Sequence, residues 1–87
     1  MQVNKIKMRQ GRLCSYNPLD IQGLYIDNIY HDVEDVYDYI IKTGAKIYVD
    51  GSDEVYLIGV IALNGKRYIR SAPNKSFVDD LLKLPRE

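Results

Sequence analysis

Two glycine-containing bends, Asp50-Gly51 and Asn64-Gly65, divide the second half of the chain into three strand-like runs. The runs are AKIYV (45–49), EVYLIGVIAL (54–63) and KRYIRS (66–71). Successive side chains of a strand point to opposite faces, so a slip of one position inverts the whole strand. The bends therefore decide what is core and what is surface. Taken as a two-residue loop, Asn64-Gly65 pairs Leu63 with Lys66, Ile61 with Tyr68 and Gly59 with Arg70. The first bend then pairs Val49 with Glu54, Tyr48 with Val55 and Ile47 with Tyr56.

Opposed residues share a face. This register gathers Ala45, Ile47, Val49, Tyr56, Ile58, Val60, Ala62 and Ile69 into a core face, with Arg67 at its rim. The other face holds Lys46, Tyr48, Leu57, Gly59, Ile61, Lys66, Tyr68 and Arg70. A middle strand that is apolar on both sides implies that something covers the second face: the chain's own tail, another subunit or a ligand.

A helix is predicted over HDVEDVYDYIIKTG (31–44). Val33, Val36, Tyr37, Ile40 and Ile41 recur at helical spacing and form its buried stripe. Asp32 is the expected cap, Glu34 and Asp35 suit the positive first turn, and Gly44 supplies a left-handed stop. Asp38 and Lys42 are spaced to pair across one turn. Residues 3–10 alternate as a half-buried strand, with Ile6 and Met8 on one side and Lys5, Lys7 and Arg9 on the other. Residues 11–20 read as a loop, and 23–29 as a second strand with Leu24 and Ile26 inward. Ser76 and Asp79 form a capping-box pattern that opens a short tail turn, with Phe77, Leu81, Leu82 and Leu84 apolar and Pro85 as its stop. The expected fold is α+β in a single domain, 1–87. It has an antiparallel sheet, a meander of three C-terminal strands plus one or two N-terminal strands. One principal helix lies on one face, and a short helical turn ends the chain.

A chain of 87 residues has a thin core, and self-association would help it. No apolar run reaches about 18 residues, which excludes a membrane-spanning helix. The first residues lack the apolar stretch of a signal peptide. Cys14 is the single cysteine, so no internal disulfide forms, and a reducing, cytoplasmic setting is expected. The formal charge is zero but segregated. Residues 1–12 and 64–75 are basic without acids, while 20–54 carry nine acids against Lys42 and Lys46. Such blocks attract an anion, or the opposite end of an identical subunit. Eight tyrosines without tryptophan bias the chain toward contact surfaces.

Catalytic and metal chemistry find little support. His31, Asp32, Glu34 and Asp35 cluster at the helix start, but no second histidine exists to complete a site. The DGSDE run (50–54) lacks the sixth-position glycine and distal glutamate of a calcium loop. Cys14 and the serines are far in sequence from the lone His31. No catalytic residue, metal ligand or cofactor is assigned, and the chain is expected not to be an enzyme.

The C-terminal run resembles small bacterial and archaeal proteins of the DUF3892 type. Tyr68-Ile69-Arg70-Ser71 matches the strand near their end, and Asp79-Asp80-Leu81-Leu82 with Leu84-Pro85 matches the run that follows it after a short turn. The resemblance spans about residues 30–87 and is good over the last 25. Asp80 stands where an asparagine is usual, and Glu87 where an aromatic is usual. The resemblance implies the architecture and no activity.

The expected function is a non-enzymatic binding module that self-associates as a homo-oligomer. Its contact face comprises Lys46, Tyr48, Gly59, Lys66, Tyr68 and Arg70, with a small phosphate-bearing, nucleotide-type ligand held where subunits meet. Gly59 is the bare spot opposite Arg70. The alternative is a nucleic-acid module using the basic strands 3–10 and 66–70, opposed by the acidic middle of the chain.

Overall fold

The computed structural model describes residues 1–51, 54–72 and 79–87. Among these residues six strands form one sheet: β1 (Gln2–Met8), β2 (Ile21–Ile26), β3 (Ile29–Asp32), β4 (Tyr48–Val49), β5 (Tyr56–Ile61) and β6 (Arg67–Ala72). One helix, α1 (Val33–Thr43), lies between β3 and β4, and 3-10 turns occupy Pro18–Asp20 and Asp80–Lys83. The sheet order is β3-β2-β1-β4-β5-β6. Every neighbouring pair is antiparallel except β1 with β4, which is parallel. The α+β class stands, with three N-terminal strands. The Ser76–Asp79 capping box and Phe77 fall partly or wholly outside the described residues; Asp79 itself caps the tail turn, accepting from Leu81 N at 2.9 Å.

The extra strand comes from Asp27-Asn28. Both residues have positive φ (51° and 69°), the geometry of a tight I′ turn, so the run beginning at residue 21 folds back on itself. Ile26 faces Ile29 across this turn. Two bulges then adjust the N-terminal half. The β1–β2 register shifts between Val3 and Lys5 and again between Lys7 and Met8. The first shift returns Val3 to the core alongside Ile6 and Met8, although strict alternation would send it out with Lys5 and Lys7.

α1 buries Val33, Val36 and Tyr37, and Ile40 packs partly against the core. Glu34 and Asp35 lie in its first turn and Lys42 in its last, matching the helix dipole. Gly44 takes the left-handed C-cap at φ 67°, its N–H donating to Ile40 O at 2.9 Å. Three details differ from the sequence reading. Ile41 is 60% exposed, outside the stripe. Asp32 sits at the N-cap without a side-chain cap bond; its Oδ1 accepts from Tyr30 Oη at 3.0 Å. Asp38 pairs with Arg67, at 3.6 Å, and not with Lys42, because β6 brings a guanidinium beside the helix.

Both bends of the C-terminal meander are one position off the expected register. Ala62 N donates to Lys66 O at 2.8 Å and Gly65 N to Ala62 O at 2.9 Å, which encloses a three-residue loop, Leu63–Gly65. Gly65 occupies its left-handed position at φ 84°. Ile61 therefore faces Arg67, Gly59 faces Ile69 and Ile58 faces Arg70. Tyr48 faces Tyr56, one position from the expected Val55. The two shifts cancel between the outer strands and invert the middle one. Leu57 and Gly59 join Ile47, Val49, Ile69 and Ser71 on the helix side, while Tyr56, Ile58 and Val60 turn outward.

The tail completes the sheet. β4 covers β1 only at Gln2 and Val3. Further along, Ile6 N donates to Pro85 O at 3.0 Å and Glu87 N to Ile6 O at 2.9 Å, so the end of the chain takes the edge that β4 leaves open. Leu81 and Leu82 close the core beneath it. Asp79, only 4% exposed, accepts from Ser71 N (3.1 Å) and Ser71 Oγ (2.6 Å) and ties this turn to β6. No described helix is long and apolar enough to cross a membrane.

Candidate binding surface on the outer sheet face

The face turned away from α1 collects the aromatic and cationic residues. On its C-terminal half, Lys46 and Tyr48 precede Tyr56, Ile58 and Val60 of β5, and Tyr68 and Arg70 of β6. Tyr48 and Tyr56 meet edge to face, ring centroids 6.4 Å apart. Lys46 Nζ stands 5.1 Å from the Tyr56 ring centre, a cation–π contact. Tyr68 faces Val60, and Arg70 faces Ile58. Ile58, Val60, Tyr68 and Arg70 are all half-buried. Arg70 Nη1 reaches Ser71 O at 3.5 Å and forms no salt bridge among the described residues. β5 packs against β4, β6 and α1, and α1 lies on the opposite face.

Of the six residues expected at the contact face, Lys46, Tyr48, Tyr68 and Arg70 come together there. Lys66 lies at its end, where its Nζ donates to Leu19 O at 3.0 Å and joins the β5–β6 hairpin to the turn before β2. Gly59 does not belong. It faces α1, and a Cβ there would stand 2.8 Å from Tyr37 Cδ2. Its missing side chain admits the Tyr37 ring and leaves no bare spot by Arg70. Ile58 takes that place. The residues missed in sequence are Tyr56, Ile58 and Val60. Their signal was Gly65 itself, since a glycine third in a three-residue loop is as regular as one second in a two-residue loop.

A second cluster lies on the N-terminal half of the same face. Tyr25 and Tyr30 meet edge to face at 5.3 Å, with Lys5 Nζ 5.1 Å from the first ring and Lys7 Nζ 5.6 Å from the second. The Tyr30 ring lies where a Cβ of Gly23 would be, so glycine is required there. The Tyr25 hydroxyl donates to Glu87, which holds its phenol above the ordinary tyrosine range. Burial first, and then the adjacent Asp32 carboxylate, push the Tyr30 phenol up. Here the rings already carry ammonium groups and the hydroxyls already have carboxylate partners.

The surface is shallow, aromatic and cationic, suited to stacking and to holding anions. Among the described residues no three His, Cys, Asp or Glu side chains converge as metal ligands. Exposed Cys14 lines a recess with Tyr16 and Arg86, whereas His31 lines a different one with Asp35 and Tyr39. Comparison with known protein families, with curated proteins and with solved structures finds no match for this chain.

Proposed function

We propose that this chain is a non-enzymatic binding module that self-associates through the outer face of β4–β6. The observation that carries the reading is Ile58 and Val60, two aliphatic side chains on the outside of an internal strand, flanked by Tyr48, Tyr56, Tyr68, Lys46 and Arg70. An apolar centre with an aromatic and charged rim has the composition of a contact surface. The complementary surface is the acidic side of α1 on a second copy, where Glu34 and Asp35 are exposed. The junction would hold a small phosphate-bearing, nucleotide-type ligand, with Arg70 forking a phosphate and Tyr48 or Tyr68 stacking a base. The likeness of Tyr68–Ser71 and the tail to DUF3892-type proteins belongs to this proposal and adds no activity.

One observation favours a second reading, a single-stranded nucleic-acid platform. Lys5 and Lys7 on β1 share the outer face with Tyr68 and Arg70 on β6, and five of the eight tyrosines lie between or beside them: Tyr25, Tyr30, Tyr48, Tyr56 and Tyr68. Sedimentation at high micromolar concentration and thermal shifts with a nucleotide panel test the first reading. Arg70→Glu should abolish any nucleotide shift and weaken association while the fold persists. A strict monomer overturns it. Binding of single-stranded DNA that collapses with salt supports the second.

A further inference from the structure

Edge strand β3 carries a second surface, separate from β4–β6. In a two-residue hairpin the closing pair, Ile26 and Ile29, exchanges both backbone hydrogen bonds. By alternation Leu24 and His31 exchange theirs. The opposite edge of β2 agrees, since Asp27 N donates to Gln2 O at 3.0 Å on the β1 side. The N–H and C=O of Tyr30 therefore point away from the sheet at its open edge.

The side chains along this edge fit one another. Ile29 shares the helix side with Ile26 and is 63% exposed. Next to it lies an apolar hollow of about 280 Å³, lined by Ile26, His31, Asp35, Val36 and Tyr39, with Met1 at one side. Tyr39 and Met1 are themselves 44% and 52% exposed. One strand edge thus presents both a projecting isoleucine and an unfilled apolar recess.

We infer that two copies of the chain pair antiparallel through β3, about a two-fold axis at Tyr30. The outward backbone groups of Tyr30 then bond to the partner's Tyr30, and alternation sets Ile29 opposite the partner's His31, over the hollow. The reciprocal contact fills the other hollow. An axis at His31 would face two imidazoles and bring the acidic first turns, Glu34 and Asp35, together; the axis at Tyr30 keeps them apart. The pairing continues the outer face from one copy into the next and joins their Tyr25–Tyr30 clusters.

Cysteine cross-linking in a Cys14→Ser background tests the axis. Hydrogen-bonded opposed residues have Cα atoms about 5.5 Å apart, within disulfide reach. Tyr30→Cys should form a covalent dimer under mild oxidation, well above the yield from Lys42→Cys on the exposed helix surface. Ile29→Asp changes no core residue and should halve the sedimenting mass with the circular dichroism unchanged. Equal cross-linking at both positions, or an unchanged mass for Ile29→Asp, overturns the inference. The outer-face proposal fails separately. If Ile29→Asp halves the mass and Arg70→Glu leaves it alone, the edge stands and the outer contact falls. If only Arg70→Glu lowers the mass, the edge is overturned.

Discussion

Gly59 lies under the ring of Tyr37: a Cβ on the glycine would come within 2.8 Å of Cδ2 and 2.9 Å of Cε2. Tyr37 is buried, and the Arg67 guanidinium lies over its ring, 5.8 Å from the ring centre. The ring cannot swing away without disturbing the α1–β6 contact. Gly59→Ala should therefore destabilise the fold by about 1–3 kcal/mol through overpacking, measured by urea unfolding. It should leave the chemistry around Arg70 untouched. A Gly59→Ala protein of wild-type stability would show that the helix does not rest on this position.

Asp79 accepts from three donors: Ser71 N and Ser71 Oγ hold the tail turn to β6, and Leu81 N caps the turn itself. Asp79→Ala leaves buried donors without an acceptor and should cost about 2–4 kcal/mol. Ser71→Ala removes only the hydroxyl and should cost less. Parallel unfolding curves decide the order, and equal losses would mean that Asp79 does not satisfy the backbone.

Arg86 joins the tail to the loop before β2. Its Nη1 donates to Leu13 O (2.6 Å) and Ser15 O (2.8 Å), its Nη2 to Leu82 O (2.9 Å), and its guanidinium lies over Tyr16. Arg86→Ala should speed hydrogen exchange at Ser15, whose N–H donates to Arg12 O, with a global loss of about 1–2 kcal/mol. Unchanged exchange at Ser15 would place the loop's order elsewhere.

The Tyr25 and Tyr30 phenols are both raised in the folded state, the first by its bond to Glu87 and the second by burial. Their neutral forms favour folding. That contribution is complete below the ordinary tyrosine value of about 10 and is lost as pH rises through the raised folded values. Stability should accordingly fall in alkali, and Tyr25→Phe should flatten part of the fall. Identical pH profiles for the two proteins would rule the Tyr25–Glu87 contact out as a cause.

The elements of the fold were largely legible in the chain, because periodicity and punctuation report them directly. Val33, Val36, Tyr37 and Gly44 announce α1, and all four behave as read. Register was not legible, because it depends on turn geometry that one glycine does not specify. Asn64-Gly65 suits both a two-residue loop and the end of a three-residue one, and the structure takes the second. Tyr48, Tyr68 and Arg70 were still placed together correctly because an equal slip at the first bend restored their alignment. Gly59 had no such protection and moved to the other side. Asp27-Asn28 gives no glycine signal for a turn, yet both residues adopt positive φ. Val3 regained the core through a bulge that alternation cannot foresee.

The pairing of Ile6 with residues 85–87 has a consequence for how the chain is made. β1 is synthesised well before residues 85–87 and sits in the middle of the finished sheet, yet part of one flank stays open until those residues are made. Folding cannot be completed segment by segment behind the elongating end. A nascent chain halted shortly before residue 85 would carry an unzipped central strand, and clearance or aggregation would compete with release at that point.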